Sequence, residues 1–242
     1  GEKNVAIGGG ALTANTTANR NVAVGHHALT ANTTGTQNVG IGFEALYSVT
    51  TSSQNTGVGY GALGLNTAAG NTALGYTALA ANTSGVRNLA IGVNAYSSSD
   101  TENDNLAIGH DAMSTNTAGG TGNTAIGHFS MEDLTSGDYN VSVGLNALLQ
   151  VTTGGRNIAV GKNALEVCTT GQYNTAMGFY AMQANNANEN VAYGYKALQA
   201  CTSGTRNTAI GAYALDASDA ENDNLAIGYN AMTIANGGAE FN

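Results

Sequence analysis

NVAIG at Asn4–Gly8 returns as NVAVG at Asn21, NTALG at Asn71, NLAIG at Asn105 and Asn224, and NTAIG at Asn207. Fourteen such pentads open at Asn4, 21, 38, 55, 71, 88, 105, 123, 140, 157, 174, 190, 207 and 224. Asn is always first and Gly always fifth, and the spacing is 17 residues with a few units of 16 or 18. Self-similarity at a fixed short period is the mark of a stacked repeat, in which each unit contacts its neighbours.

Within a unit the period is that of a strand. The second and fourth residues are apolar and often β-branched, as in Val5 and Ile7 or Ile158 and Val160, and face one way in an extended chain. The third, usually Ala (Ala6, Ala73, Ala209), faces the other way. An Ala–Leu or Ala–Met pair follows (Ala11–Leu12, Ala181–Met182) and reads as a second short strand, and a polar loop such as ANTTGTQ closes the coil with turn-forming residues. Gly interrupts every unit and the loops are poor helix formers, which excludes a helical repeat. The fold expected is all-β: a parallel β-solenoid of about fourteen 17-residue coils. Burying about three aliphatic side chains cannot offset the backbone entropy of ordering one coil, so coils must stack. A strand apolar on both faces is covered on both. One face fills the coil, and the small-residue column Ala6, Ala23, Gly40, Gly57, Ala73 is expected to meet a second copy, giving self-association along the length.

A longer period overlies the short one. TENDNLAIGHDAM at Thr101 reappears as AENDNLAIGYNAM at Ala220, 119 residues on, and short and long units fall in the same order in both halves. The chain is read as one repeat domain, 1–242, made of seven-coil blocks 4–122 and 123–241, each advancing ~34 Å at ~4.8 Å per coil. Gly1–Lys3 resemble the tail of a preceding unit and Asn242 stands where a fifteenth would open, so the pattern is expected to continue past both ends.

Composition removes several classes. Charged residues are 10%, Pro is absent, and Gly has no three-residue period, which excludes disordered and collagen-like chains. A net charge of −9 with seven scattered Lys and Arg offers no nucleic-acid footprint. No apolar run approaches the roughly 20 residues of a membrane-spanning helix, so no membrane insertion is expected. Cys168 and Cys201 share the twelfth place of units two apart, which sets their Cα atoms ~9.6 Å apart. A disulfide needs less than about 7 Å, so both thiols are expected free.

Chemistry is sparse. The Asn column (Asn4, Asn21, Asn38, Asn71, Asn105, Asn207) reads as a hydrogen-bonded ladder. The Gly column (Gly8, Gly25, Gly42) marks positive φ or a crowded corner. Fourteen equal positions do not make a catalytic centre, and no nucleophile–base motif stands out, so no enzyme is expected. Asp100, Glu102 and Asp104, repeated as Asp219, Glu221 and Asp223, could converge on Ca²⁺ or form a solvated acidic loop; no other cofactor is indicated. Phe43, Tyr60 and Tyr76 fall on consecutive coils, as a sugar-binding stripe or as packing between rings. Asn15, Asn32 and Asn82 open glycosylation acceptor patterns. The Thr-rich loops could order water as ice-binding solenoids do.

Units such as NTALGYTALAANTSGVR resemble the Asn-Thr-Ala-Ile-Gly repeats of bacterial and phage tail-fibre-domain proteins and, more distantly, the head repeats of trimeric autotransporter adhesins. The resemblance implies a left-handed β-roll, homotrimeric around one axis, displayed outside a cell, on its surface or on a virion. The function expected is the structural shaft of such a fibre, homo-oligomeric and joined end to end, with ice binding or the binding of surface glycans as the alternative.

Overall fold

The computed structural model describes residues 1–115, 119–216 and 220–233. The chain divides into two compact units, Gly1–Thr121 and Gly122–Asn242. The first holds β1 (Val5–Ile7), β2 (Val22–Val24), β3 (Val39–Ile41), β4 (Thr56–Val58), β5 (Thr72–Leu74), β6 (Leu89–Ile91) and β7 (Leu106–Ile108). The second holds β8 (Thr124–Ile126), β9 (Val141–Val143), β10 (Ile158–Val160), β11 (Thr175–Met177), β12 (Val191–Tyr193), β13 (Thr208–Ile210) and β14 (Leu225–Ile227). In each unit every strand pairs in parallel with the next one in the chain. Each unit is therefore a parallel β-solenoid, one strand per coil. Register is kept across the 16-residue coil, where Gly57 lies beside Ala73, so the missing residue is absorbed in the loop.

The Ala–Leu pair is a corner and not the second strand that its composition suggests. Leu29 has φ +51 and Leu46 +54, in the left-handed region. Holding a bulky L-residue there costs about 1–2 kcal/mol. The coil compensates by burying the side chain fully and by donating the Leu29 N–H to Ala45 O of the next coil at 3.0 Å. His27 (φ +58) and Gln37 (φ +60) make the remaining left-handed bends of the same coil. The glycine of the pentad answers to both of its expected reasons: Gly25 has φ +135, and a Cβ there would lie 2.3 Å from the Gly42 carbonyl oxygen.

The two faces of the strand are placed opposite to the expectation for self-association. The small-residue column is the interior: Ala23, Ala73, Ala90, Ala159 and Ala209 have no exposed surface. They pack with the corner residues Ala28, Leu29, Leu46 and Met182, also fully buried. The bore is narrow. A Cβ on Gly40 would come within 3.2 Å of Ala45 O and 3.3 Å of Leu29 Cγ, and one on Gly57 within 3.0 Å of Ala62 O. Nothing larger than a methyl or hydroxymethyl group fits, so the β-branched residues turn outward. At β9 the inward place is Ser142, whose Oγ accepts from Ser130 Oγ at 2.6 Å and donates to Ala147 O at 2.7 Å. Among the described residues no helix is long and apolar enough to cross a membrane.

Candidate functional site: the columns of the solenoid

The Asn ladder works through the backbone more than from side chain to side chain. Asn21 N–H donates to Asn4 Oδ1 at 2.9 Å, Asn38 N–H to Asn21 Oδ1 at 2.9 Å, and Asn207 N–H to Asn190 Oδ1 at 2.9 Å. The other end of each amide reaches the loop that closes its own coil: Asn21 Nδ2 donates to Gly35 O at 2.9 Å and Asn71 Nδ2 to Gly85 O at 2.7 Å. Asn105 Nδ2 donates to Gly120 O at 2.9 Å and also meets the Tyr96 hydroxyl. One side chain thus ties the start of its coil to the loop that closes it and to the first amide of the following coil.

The acidic residues do not gather. Glu102 is 2% exposed and turns inward, where its carboxylate accepts from Ser99 Oγ (3.1 Å) and from the N–H groups of Asp100 (2.9 Å), Thr101 (3.0 Å) and Gly119 (3.0 Å). Asp104 faces the other way and takes a two-pronged pair from Arg87, Nη2 to Oδ2 at 2.7 Å. The hydrogen bond from Arg87 holds the Asp104 carboxyl below its ordinary range and raises the guanidinium. Asp100 is bonded by Thr83 Oγ1. The second unit repeats the pair as Arg206–Asp223, with Nη2 to Oδ2 at 2.7 Å, while Glu221 accepts from Ala220 N–H at 3.2 Å. Asp219 lies outside the described residues. Among the described residues no group of three or more His, Cys, Asp or Glu gathers where it could hold a metal. Residues two apart in a tight loop diverge when one of them is drawn into the bore.

Phe43, Tyr60 and Tyr76 do form a stripe, extended by His26. His26–Phe43, Phe43–Tyr60 and Tyr60–Tyr76 stack at centroid distances of 5.4, 5.1 and 5.2 Å with planes within 15° of parallel. Rings stacked this way cover one another's faces, so the column offers edges to solvent. In the second unit Arg156 lies between Tyr139 and Tyr173, 5.8 and 5.5 Å from their centroids.

Two of the three glycosylation candidates are closed off. Asn32 and Asn82 have no exposed surface, and their Nδ2 groups donate to Gly35 O and Gly85 O, both at 3.0 Å. Asn15 holds the same twelfth place and is half-buried. That place points into the bore, as it does for Cys168 and Cys201, which are buried free thiols. Burial pushes the Cys168 thiol up to about 12. Some of the loop Thr hydroxyls bond within the solenoid: Thr16, Thr33 and Thr152 Oγ1 donate to the carbonyls of Thr33, Thr50 and Thr169 at 2.9, 3.1 and 3.0 Å, while Thr17, Thr34 and Thr153 are exposed.

The surface that sequence reasoning assigned to the inside is the outward strand face. Ile7 is 59% exposed, Leu74 48% and Ile227 65%, and Ile41, Ile158 and Val191 are exposed as well. Two columns, about 7 Å apart along each strand, thus run up each unit: the fourth pentad place is aliphatic in nearly every coil, and the second mixes Val, Ile and Leu with Thr56, Thr72, Thr124, Thr175 and Thr208. Their signal was present as alternation, but alternation does not say which face closes. Comparison with protein-family models, with curated proteins and with solved structures finds no match for the chain.

Proposed function

We propose that the chain is structural: the self-associating β-solenoid shaft of a fibre displayed outside a cell or on a virion, and that copies meet through the outward strand face. The observation that carries this reading is the outward column of Ile, Val and Leu at the fourth pentad place, with Ile41, Leu74 and Ile210 exposed on it. Seven coils at ~4.8 Å and a width of ~12 Å give a strand face of ~400 Å² per unit, apolar along one column and mixed with threonine along the other. An apolar patch of a few hundred Å² is already large for a monomer. The repeat resemblance supports three copies, wound left-handed.

The test is the mass of the assembly in solution by sedimentation, with the double variant Ile41→Lys, Leu74→Lys beside the parent. Both side chains lie outside the bore, so the variant keeps its β-rich circular dichroism and sediments as a 24.3 kDa monomer, whereas the parent sediments as an oligomer. A monomeric parent, or a variant that assembles equally well, overturns the proposal.

A further inference from the structure

The first unit carries a notch on its corner surface, away from the strand face. It encloses about 280 Å³ between Tyr47 and Leu65, over a floor of Gly61 and Gly64, with Glu44 and Ser97 among its polar margins. Tyr47 and Leu65 are 41% and 54% exposed, high for residues of their size. His27, one coil earlier, braces the Tyr47 ring edge to face at 6.2 Å.

The fold does not require the notch. Gly61 has φ +61, but Glu44, Thr77 and Tyr180 adopt the same left-handed bend at the equivalent place of other coils, at φ +53, +49 and +59. A Cβ on Gly61 would meet only Thr77 Cγ2, at 3.7 Å. In the second unit the corresponding coil has Tyr180 and Gln183 where the first has Gly61 and Gly64. There Gln183 belongs to a side-chain ladder, donating to Glu166 at 2.6 Å and accepting from Gln199 at 2.8 Å. The same scaffold is thus built once with large side chains and once without them, beside an aromatic wall.

We propose that the notch binds one neutral sugar ring of hexopyranose size. Its volume lies at the lower edge of small-molecule sites, roughly 300 Å³, and suits a single ring. The apolar C–H face of a sugar packs on an aromatic wall such as Tyr47, with Leu65 and the bare glycine floor closing the other sides. Its hydroxyls meet the Glu44 carboxylate beside Tyr47, which accepts. No Lys, Arg or His lines the notch, and Glu44 repels a second carboxylate, so uronic acids and sulfated sugars are disfavoured. This site differs from the Phe43–Tyr60–Tyr76 stack, whose ring faces are covered.

The test titrates the full chain with methyl glucoside, methyl mannoside and methyl galactoside, and with glucuronic acid, by saturation-transfer NMR and calorimetry. At least one neutral glycoside binds saturably, and glucuronic acid binds at least tenfold more weakly. Gly61→Tyr copies the second unit and fills the notch; it lowers the affinity at least tenfold, as does Tyr47→Ala, while melting and sedimentation stay as in the parent. The double variant Ile41→Lys, Leu74→Lys keeps full affinity, which separates this site from the self-association face. The proposal is overturned if no neutral glycoside binds, if Gly61→Tyr binds as the parent does, or if glucuronic acid binds equally well. A change in oligomer mass with Gly61→Tyr also overturns it, since the notch would then seat a second copy.

Discussion

Asn140→Ala removes one rung from the ladder. In the parent, Asn140 Oδ1 accepts from Asn157 N–H at 3.0 Å, and Nδ2 donates to Gly154 O at 2.9 Å and to Asn123 Oδ1 at 3.2 Å. The backbone bond from Asn140 N–H to Asn123 Oδ1, 2.8 Å, survives the substitution. Two buried backbone groups, the Asn157 N–H and the Gly154 carbonyl, lose their partner. Each stranded group costs about 1–3 kcal/mol, so the variant is less stable by about 2–6 kcal/mol. For a chain of this size that lowers the melting temperature by roughly 4–24 °C.

The assay is calorimetry beside hydrogen exchange at the Asn157 amide, which loses protection in the variant first. Gln54→Ala, on the exposed outer column, serves as control and changes stability by no more than about 0.5 kcal/mol. Asn140→Asp separates acceptor from donor: it keeps the oxygen for Asn157 N–H but buries a carboxyl. Burial disfavours the charged form and raises the folded-state pKa above the unfolded one. The defect is therefore smallest below the ordinary carboxylate range and grows as pH rises through it. An Asn140→Ala variant that melts within the range of Gln54→Ala would falsify the claim that this column fastens the coils.

Substituting Ala73→Arg and Ala192→Arg drives a charge into the bore, since both alanines are fully buried; the expected result is loss of β-structure by circular dichroism, and a folded monomer would contradict the assignment of faces. Cys168 and Cys201 should stay silent to an aromatic disulfide reagent at pH 8 and react only on unfolding, because the Cys168 thiol is pushed up to about 12. Stability linked to Cys168 is complete below the thiol's ordinary value of 9.0 and lost as pH rises from there toward 12. Chelator and added Ca²⁺ should leave the melting temperature unchanged, as Glu102 and Asp104 are taken by Ser99, backbone amides and Arg87; a rise with Ca²⁺ that Asp104→Asn abolishes would show a metal site there. Asp104 is held low by Arg87, so its contribution is intact above the ordinary carboxylate range and fades as pH falls through the depressed value, a loss that Arg87→Gln removes.

Much of the fold was legible because the repeat makes each local inference fourteen times. The anchoring Asn, the glycine corner and the free thiols follow from spacing alone, since a fixed rise per coil turns sequence distance into space. Three of the misreadings share one reason. The faces of the strand, the inward turn of Glu102 and the burial of Asn32 and Asn82 all depend on which side of the coil closes on itself. Alternation of Val5, Ala6 and Ile7 names two faces without ranking them. The loop triplets look solvent-exposed because they are polar, yet their first Asn sits at the twelfth place, which the left-handed corner at Leu29 or Leu79 turns into the bore. Positive φ at a leucine has no sequence signal, so the corner read as a strand.

The narrow bore explains why Ala and Gly stand inside, since Gly40 and Gly57 have barely room for a methyl group. It does not explain Ile41, Leu74 or Ile158 outside. A solenoid of this bore closes equally well with threonine at the outward places, as Thr56 and Thr72 show within the same ladder. Aliphatic residues there add nothing to the interior and leave apolar surface in water at ~25 cal/mol per Å². Folding therefore dictates the inner columns and leaves the outer ones free. Their aliphatic character is the strongest reason to read this surface as one made to be covered by another copy of the chain.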